Sequence, residues 1–365
     1  MSAPLALTPD RPEMLAFTYD ALPSRVVFGV GCLDKLPEEI ERFGATRALV
    51  LSTPEQRETG QQIVDRMGAR AAGLFDQAVM HVPIEIAEQA RERAMALGAD
   101  CCVAIGGGST TGLAKAIALV STLPILSIPT TYAGSEMTPI WGITENGLKK
   151  TGRDPRVLPK TVLYDPTLTV SMPPMLSATS GMNSIAHCVE ALYSKDANPI
   201  ISMIAEEGIR ALAAGLPIVV KDPANIEARS SALYGAWLGG VSLGAVGMAL
   251  HHKLCHTLGG TFNLPHAETH TVVLPHATAY TAPATPEAMS RIARALGSKS
   301  AAQGLYDLAA SLGAPTSLAA LGLKAADLDK AAEIAVQNPY YNPRPITREG
   351  IRALLEDAFE GRRPR

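Results

Sequence analysis

The sequence predicts an α/β N-terminal domain on a doubly wound, mostly parallel sheet, followed by an all-helical C-terminal domain. Three observations carry this. Short continuous apolar runs alternate with helical patterns through the first half, as expected of strands covered on both faces by crossover helices. Strand-like runs stop after Asp165-Pro166, and long helical patterns follow as far as Phe359. The 365 residues are 47% apolar and 18% charged, enough for a large core and two domains. The boundary falls near Leu168, giving a dinucleotide-binding domain over residues 1–168 and a substrate domain over 169–365.

Taken in order, residues 24–28 are strand-like and end in a Gly29-Val30-Gly31 turn. Leu33, Leu36 and Ile40 have helical spacing. Residues 47–52 form a continuous apolar run, 54–67 a helix, 71–75 a strand and 84–97 a helix. Residues 101–105 form a further buried strand that ends at Gly106-Gly107-Gly108-Ser109, and 110–119 continue as a helix. Residues 126–128 are the next strand, closed by Pro129. In the second half, helices are expected over 174–194, 200–220 and 226–250. Residues 230–250 carry no charge and are long enough to cross a bilayer, but they hold five glycines and lie mid-chain. A buried central helix is the expectation there.

A net charge of −3 with no basic block argues against nucleic acid and acidic membrane surfaces as partners. Residues 1–13 lack the basic and apolar regions of a signal peptide. Five cysteines without CxxC spacing fit a reducing cytoplasm better than a disulfide framework.

The Gly106–Ser109 loop follows a strand and opens a helix. Glycines let backbone N–H groups approach a phosphate, and the helix N-terminus favours negative charge. A plain strand–helix turn would use the same residues. The next strand ends similarly, at Pro129-Thr130-Thr131-Tyr132-Ala133-Gly134-Ser135-Glu136, whose hydroxyls suit phosphate or ribose contacts. Two such loops at successive strand ends favour a nucleotide site. Thr53 stands after the 47–52 strand, where an acid would bind the ribose and reject a 2′-phosphate. Both NADH and NADPH are therefore expected to fit.

Seven of the eight histidines lie between His187 and His276. His252 and His256 are four apart, on one face of a helix, and can ligate a metal or move protons. Lys253 sits about 100° further round and can lean into the same pocket. A polar surface face is the plainer alternative, but Leu250, Leu254 and Leu258 flank the histidines and suggest burial. Cys188 and Cys255 beside them are expected to pack rather than react.

With these motifs in view, the sequence resembles the iron-containing alcohol dehydrogenase family over nearly its whole length. The residues that carry the resemblance are GGGS with Lys115 behind it, Pro129-Thr130-Thr131, Gly134-Ser135-Glu136, Asp165-Pro166, and Ser180-Gly181-Met182 with His187. To these are added His252-x-x-x-His256, Pro265-His266 and Asn342-Pro343-Arg344-Pro345. The resemblance implies a dehydroquinate synthase-like two-domain architecture, a homodimer and an NAD(P)H-dependent oxidoreductase. It places cofactor contacts at Gly106, Gly107, Gly108, Ser109, Thr130, Thr131, Ser135 and Lys149, with Thr53 nearby. It also implies a metal set of one aspartate and three histidines, which here falls on Asn183, His187, His252 and His266. Asn183 replaces the carboxylate, and a neutral amide is a poor ligand for a divalent ion, although three neutral histidines could still hold zinc or iron with an open position. Gly112 stands where relatives commonly carry an aspartate, and Lys253 where metal-dependent relatives often carry a small residue.

Arg25-Val26-Val27-Phe28-Gly29, the Thr130–Gly134 variant and the His251–His256 run resemble a branch of this family. Its members reduce the carbon–carbon double bond of an enone dicarboxylate in aromatic-compound degradation, without a catalytic metal. That implies His187, His252, His256, Lys253 and Tyr132 as catalytic candidates, and Asn183, His266 and Arg344 as substrate contacts. Lys253 would anchor a substrate carboxylate; Arg344, in its proline-rich turn, could equally tie down the last helix. The rivals are a metal-dependent alcohol or aldehyde oxidoreductase of the same family, an NAD-using lyase of the dehydroquinate synthase type, and a non-catalytic nucleotide or metal binder.

Overall fold

A computed structural model describes residues 17, 19–22, 24–337 and 340–365. Residues 1–13, where no signal peptide is expected, lie outside the described residues. The first half is a six-stranded, wholly parallel sheet in the order β1-β8-β5-β4-β2-β3. Its strands are β1 (Arg25–Phe28), β2 (Ala48–Leu51), β3 (Ala71–Phe75), β4 (Cys101–Gly106), β5 (Ile125–Pro129) and β8 (Thr161–Tyr164). Strands β2, β4 and β5 are buried at every position, which explains their unbroken apolar runs. Helices α1 (Leu36–Glu41), α2 (Arg57–Met67), α3 (Ile84–Ala96) and α4 (Gly108–Ser121) cover the two faces. Leu49, Leu51 and Cys102 pack toward Ala90, Leu113 and Ile117, and Val50, Val103 and Ile105 pack toward Ile40 and Ile63.

The chain runs from β2 outward to β3, then crosses back to β4 on the other side of β2. Strand order therefore reverses between β2 and β4. In open parallel sheets the crevice at such a reversal, beyond the carboxyl ends of the strands, is where ligands bind. The loops after β2, β4 and β5 border it.

The second half consists of α5 (Pro174–Leu192), α6 (Pro199–Lys221), α7 (Ile226–Ala245), α8 (Leu250–Phe262), α9 (His266–Thr281), α10 (Pro286–Ala295), α11 (Ala301–Ser311), α12 (Leu328–Val336) and α13 (Arg348–Glu360). Every residue of α5 from Ser177 to Leu192 is buried. It is the axis of one core formed with α6 and α7, while α8, α9, α12 and α13 enclose another.

The structure adds strands and breaks a helix. An antiparallel hairpin, β6 (Ile140–Glu145) and β7 (Leu148–Arg153), and strand β8 follow β5 in a stretch to which the sequence assigned no element. Strand β7 reads Leu-Lys-Lys-Thr-Gly-Arg and is almost wholly exposed, so no apolar alternation marks it. Its turn is Asn146-Gly147, both with positive φ, a hairpin signal that was present in the sequence. The helix expected over residues 226–250 ends at Ala245, and α8 leaves it at 94°. Among the described residues no single helix is long and apolar enough to cross a membrane.

The two halves meet where α7 crosses the loop after β5. A Cβ on Gly240 would lie 2.9 Å from the Gly134 carbonyl oxygen and 3.0 Å from its Cα. Both are backbone atoms that cannot rotate away. Gly240→Val is expected to lower the unfolding free energy by about 2–3 kcal/mol in urea titrations, because the overpacking falls on rigid backbone.

Candidate active site

At the crevice, β4 ends in Gly106 with φ of 142°, and a Cβ there would lie 2.7 Å from both Gln56 Oε1 and Thr110 Oγ1. Only glycine fits. Helix α4 starts at Gly108, and no side chain caps it, so the amides of its first turn are left for a ligand. Gln56 binds the neighbouring loops together: its Nε2 donates to Thr130 Oγ1 at 2.9 Å, and its amide donates to Thr53 Oγ1 at 3.3 Å. Gly106, Gly107, Gly108, Ser109, Thr130, Thr131 and Thr53 thus border one crevice.

Lys115 is fully buried on α4. Its Nζ has five oxygen partners: the Ser135, Thr138 and Ile140 carbonyls at 2.7, 2.8 and 2.7 Å, and the Ser135 and Thr138 hydroxyls at 3.2 and 3.0 Å. Burial pulls its pKa down to about 7. The lysine ties the segment after β5 to α4, which sets Ser135 beside the crevice. Lys149 lies opposite Thr144 on the hairpin, with its stem across Gly142. Burial lowers the pKa of His81, His256 and His266, and the Lys149 charge adds to that in each. Gly112 has a packing reason, since a Cβ there would be 2.9 Å from Val82 Cγ2.

The histidine array is built at the bend between α7 and α8. Glu190 of α5 is completely buried. Its Oε2 accepts the Ala249 amide at 2.9 Å, and its Oε1 accepts the His251 amide at 2.7 Å. His252 Nδ1 lies 2.8 Å from Oε2. A carboxylate that already accepts two amides fixes the Nδ1–H tautomer of His252, and Nε2 then carries the lone pair. Neither this Nε2 nor Nδ1 of His187 nor Oδ1 of Asn183 has a hydrogen-bond partner among the described residues. His187 stacks on His252 with ring centroids 5.1 Å apart. Behind them, His251 Nε2 lies 3.0 Å from the His270 carbonyl oxygen, and Cys255 Sγ lies 3.5 Å from the same nitrogen.

Burial pushes His187, His252 and His270 well below the usual imidazole pKa, and His251 down to about 3. All four are neutral near pH 7. His256 and His266 line the open side, where water reaches their rings. Protein still encloses them on several sides. His256 is depressed by burial first and then by Lys149, and His266 is brought to about 4 by burial, His256, Lys149 and His81. Lys253 is half-buried, with Nζ 5.5 Å from the Tyr340 ring centroid, and its charge also acts on His256.

Two expected contacts are not brought to this array. The Tyr132 side chain is in the core, and its hydroxyl faces Arg229, which also donates to Ser177 Oγ at 2.8 Å. Ser177 lies ten residues before His187 on α5, about 15 Å along the helix. A hydroxyl drawn to a buried guanidinium cannot serve at the other end. Arg344 donates to the Tyr280 carbonyl at 2.9 Å and stacks on that ring at 4.3 Å. Tyr280 is fourteen residues beyond His266 on α9, about 21 Å away. Arg344 ties the last helix down. Glu190 was missed in the sequence, although a lone acid within Cys188-Val189-Glu190-Ala191-Leu192 is a buried-charge signal.

The family's metal set falls on Asn183, His187, His252 and His266. The unpartnered atoms of Asn183, His187 and His252 are all buried, and the family's set contains no anion here. Among the described residues, three ligand atoms come within 4.8 Å of one another in two groups, Glu190–His251–His252 and His251–Cys255–His270. Neither is the family's set. The family's set, here three imidazoles and an amide, lacks its carboxylate and so holds a divalent ion less tightly than an aspartate-containing set would.

Models of the iron-containing alcohol dehydrogenase family match residues 23–166, and of its C-terminal region residues 177–359. The chain belongs to the iron-containing alcohol dehydrogenase family, and it is an oxidoreductase. Within the family it is 61% identical over 351 residues to a maleylacetate reductase of Burkholderia cepacia, covering 96% of this chain and 100% of the relative. It is 58% identical to that of Sphingobium indicum, covering 96% of this chain and 99% of the relative. The crystal structure of maleylacetate reductase from Agrobacterium tumefaciens is 56% identical and superposes with a TM-score of 0.94, covering 96% of this chain and 100% of that one.

Two measurements follow from the buried groups. Removing the carboxylate in Glu190→Ala leaves two amides and an imidazole N–H without their acceptor. A stability loss of about 3–5 kcal/mol is expected in urea unfolding. His251 and His276 have folded pKa values of about 3 and about 4, below their unfolded value of 6.5. Between pH 6.5 and those values the unfolded chain binds more protons, so stability rises with pH and is lost on acidification. Each group contributes up to about 1.4 kcal/mol per pH unit. Glu190, raised by burial, opposes part of this just above its ordinary pKa. Urea midpoints should fall from pH 6.5 to 5, and less steeply in His276→Gln.

Proposed function

We propose that the chain is a maleylacetate reductase that uses NADH or NADPH to reduce the enone double bond of maleylacetate to 3-oxoadipate, without a catalytic metal. The observation that carries this reading is the composition of the cleft. It offers neutral imidazoles, the cations Lys253 and Lys149, and an amide at the position of the family's carboxylate. The acid beside His252, Glu190, is already occupied by protein donors. Such a cleft suits a dianion and suits a divalent cation poorly. The similarity to maleylacetate reductases along the whole chain supports the same substrate.

The nicotinamide would lie at the crevice bordered by Gly106–Ser109, Thr130, Thr131 and Ser135, with Lys149 beside it. Thr53 in place of an acid supports use of either dinucleotide. Hydride passes to the alkene carbon β to the ketone, and the electron pair of the double bond moves onto the ketone oxygen. Hydrogen-bond donors and cations aimed at that oxygen lower the barrier. A proton then reaches the α carbon. His256 is assigned as its donor, because water reaches its ring and can recharge it. Neutral His252 cannot donate from Nε2, since its one proton is held toward Glu190. His252 and His187 instead shape the floor beneath the reacting atoms, with Asn183 and His266 at its edge, and Lys253 anchors a carboxylate.

Five buried free cysteines support a reducing cytoplasm, and we further read the enzyme as a homodimer in aromatic-compound degradation. The discriminating assay is loss of reduced-nicotinamide absorbance with maleylacetate, with and without EDTA. Turnover untouched by the chelator is expected; loss of activity with EDTA would return the choice to a metal-dependent alcohol oxidoreductase. His256→Gln should lower kcat about 10²–10⁴-fold. Lys253→Ala should raise KM about tenfold with kcat nearly unchanged, as for an anchor felt equally in ground and transition states.

A further inference from the structure

We propose that His251, Cys255 and His270 form a binding site for a thiophilic cation, Zn2+ or Cu+, separate from the family's metal positions, and that filling it inhibits the enzyme. His251 and Cys255 are four residues apart on α8 and share one face. His270 comes from α9, which packs against α8, and its ring centroid is 4.8 Å from that of His251. One ligand atom from each of the three lies within 4.8 Å of the others. The distance from His251 Nε2 to Cys255 Sγ is 3.5 Å. A tetrahedral ion with ordinary zinc–nitrogen and zinc–sulfur bonds requires about 3.5 Å along that edge.

A second observation is independent of the spacing. The His270 imidazole is 1% exposed, and neither ring nitrogen has a hydrogen-bond partner among the described residues. A buried polar ring left so is costly unless something satisfies it. A thiolate with two imidazoles selects zinc or copper(I) over magnesium or calcium. Binding exchanges the contact between His251 Nε2 and the His270 carbonyl for a metal bond; burial and the Glu190 charge hold the Cys255 thiol protonated in the empty site, so its proton leaves only as the ion bonds to sulfur.

Inhibition follows from what His251 adjoins. Its Nδ1 is 3.3 Å from His252 Nδ1, and its amide is held by Glu190. Drawing the His251 ring toward Cys255 and His270 disturbs the Glu190–His252 pair that orients the cleft. None of Asn183, His187, His252 and His266 belongs to the new set.

The test uses the full-length, metal-free protein titrated with Co2+ and then Zn2+. One equivalent of Co2+ should raise a sulfur-to-cobalt charge-transfer band, which Zn2+ abolishes by displacement. Reductase activity should fall at least tenfold in parallel and return with chelator. Cys255→Ala and Cys255→Ser should lose the band, keep basal activity within about twofold and resist Zn2+. His270→Gln should weaken binding at least tenfold. Absence of the band in the unaltered chain would overturn the proposal. So would Zn2+ binding to Cys255→Ala with unchanged affinity, or a filled site without loss of activity. The band does not depend on turnover of maleylacetate, so failure of the functional reading is seen separately, as an inactive protein that still binds cobalt through sulfur.

Discussion

The candidate site depends on one buried carboxylate. Glu190 takes the amides of Ala249 and His251 and the ring N–H of His252, and so closes the gap where α7 stops and α8 begins. Without an acceptor there, the turn at residues 246–249 would leave amides unpaired in the core, an outcome protein interiors avoid. Gly247 is held from the same side, its amide by Asp196 and its carbonyl by the Ser194 hydroxyl. The bend delivers His251, His252 and His256 to the cleft as a set. A straight continuation of α7 would carry them elsewhere.

The same burial sets the chemistry. Each imidazole added to a desolvated cluster lowers the pKa of its neighbours, through lost hydration and mutual repulsion. The result is a wall of neutral rings with cations at its mouth, one from the hairpin and one from α8. In this arrangement electrostatic attraction for an anionic ligand and proton transfer are assigned to different residues. The lysines hold charge, and the water-exposed histidine exchanges protons.

Much of this was legible in the sequence. The apolar runs of β2, β4 and β5 announced strands covered on both faces, and the glycine loop after β4 announced the crevice. The leucines spaced through His251–His256 correctly implied burial of that helix. What escaped depends on tertiary partners. The break after Ala245 contains no proline and carries an apolar run, and the groups that hold it, Glu190 of α5 with Ser194 and Asp196 beyond it, are distant in sequence. The direction of the Tyr132 hydroxyl is decided by Arg229, nearly a hundred residues away. Strand β7 is exposed, with no apolar alternation, and is held by its cross-strand amides, so it was visible only through its Asn146-Gly147 turn.

The close contact between Gly112 and Val82 has an evolutionary consequence. His81 and Val82 both sit at positive φ, an unusual conformation for a non-glycine pair, and Thr144 of the hairpin holds the His81 and Val82 carbonyls through its hydroxyl and its amide. That fixed loop rests where an aspartate at residue 112 would project. The two positions are therefore epistatic. A lineage that places an acid at residue 112 meets the Val82 side chain unless that valine is exchanged as well.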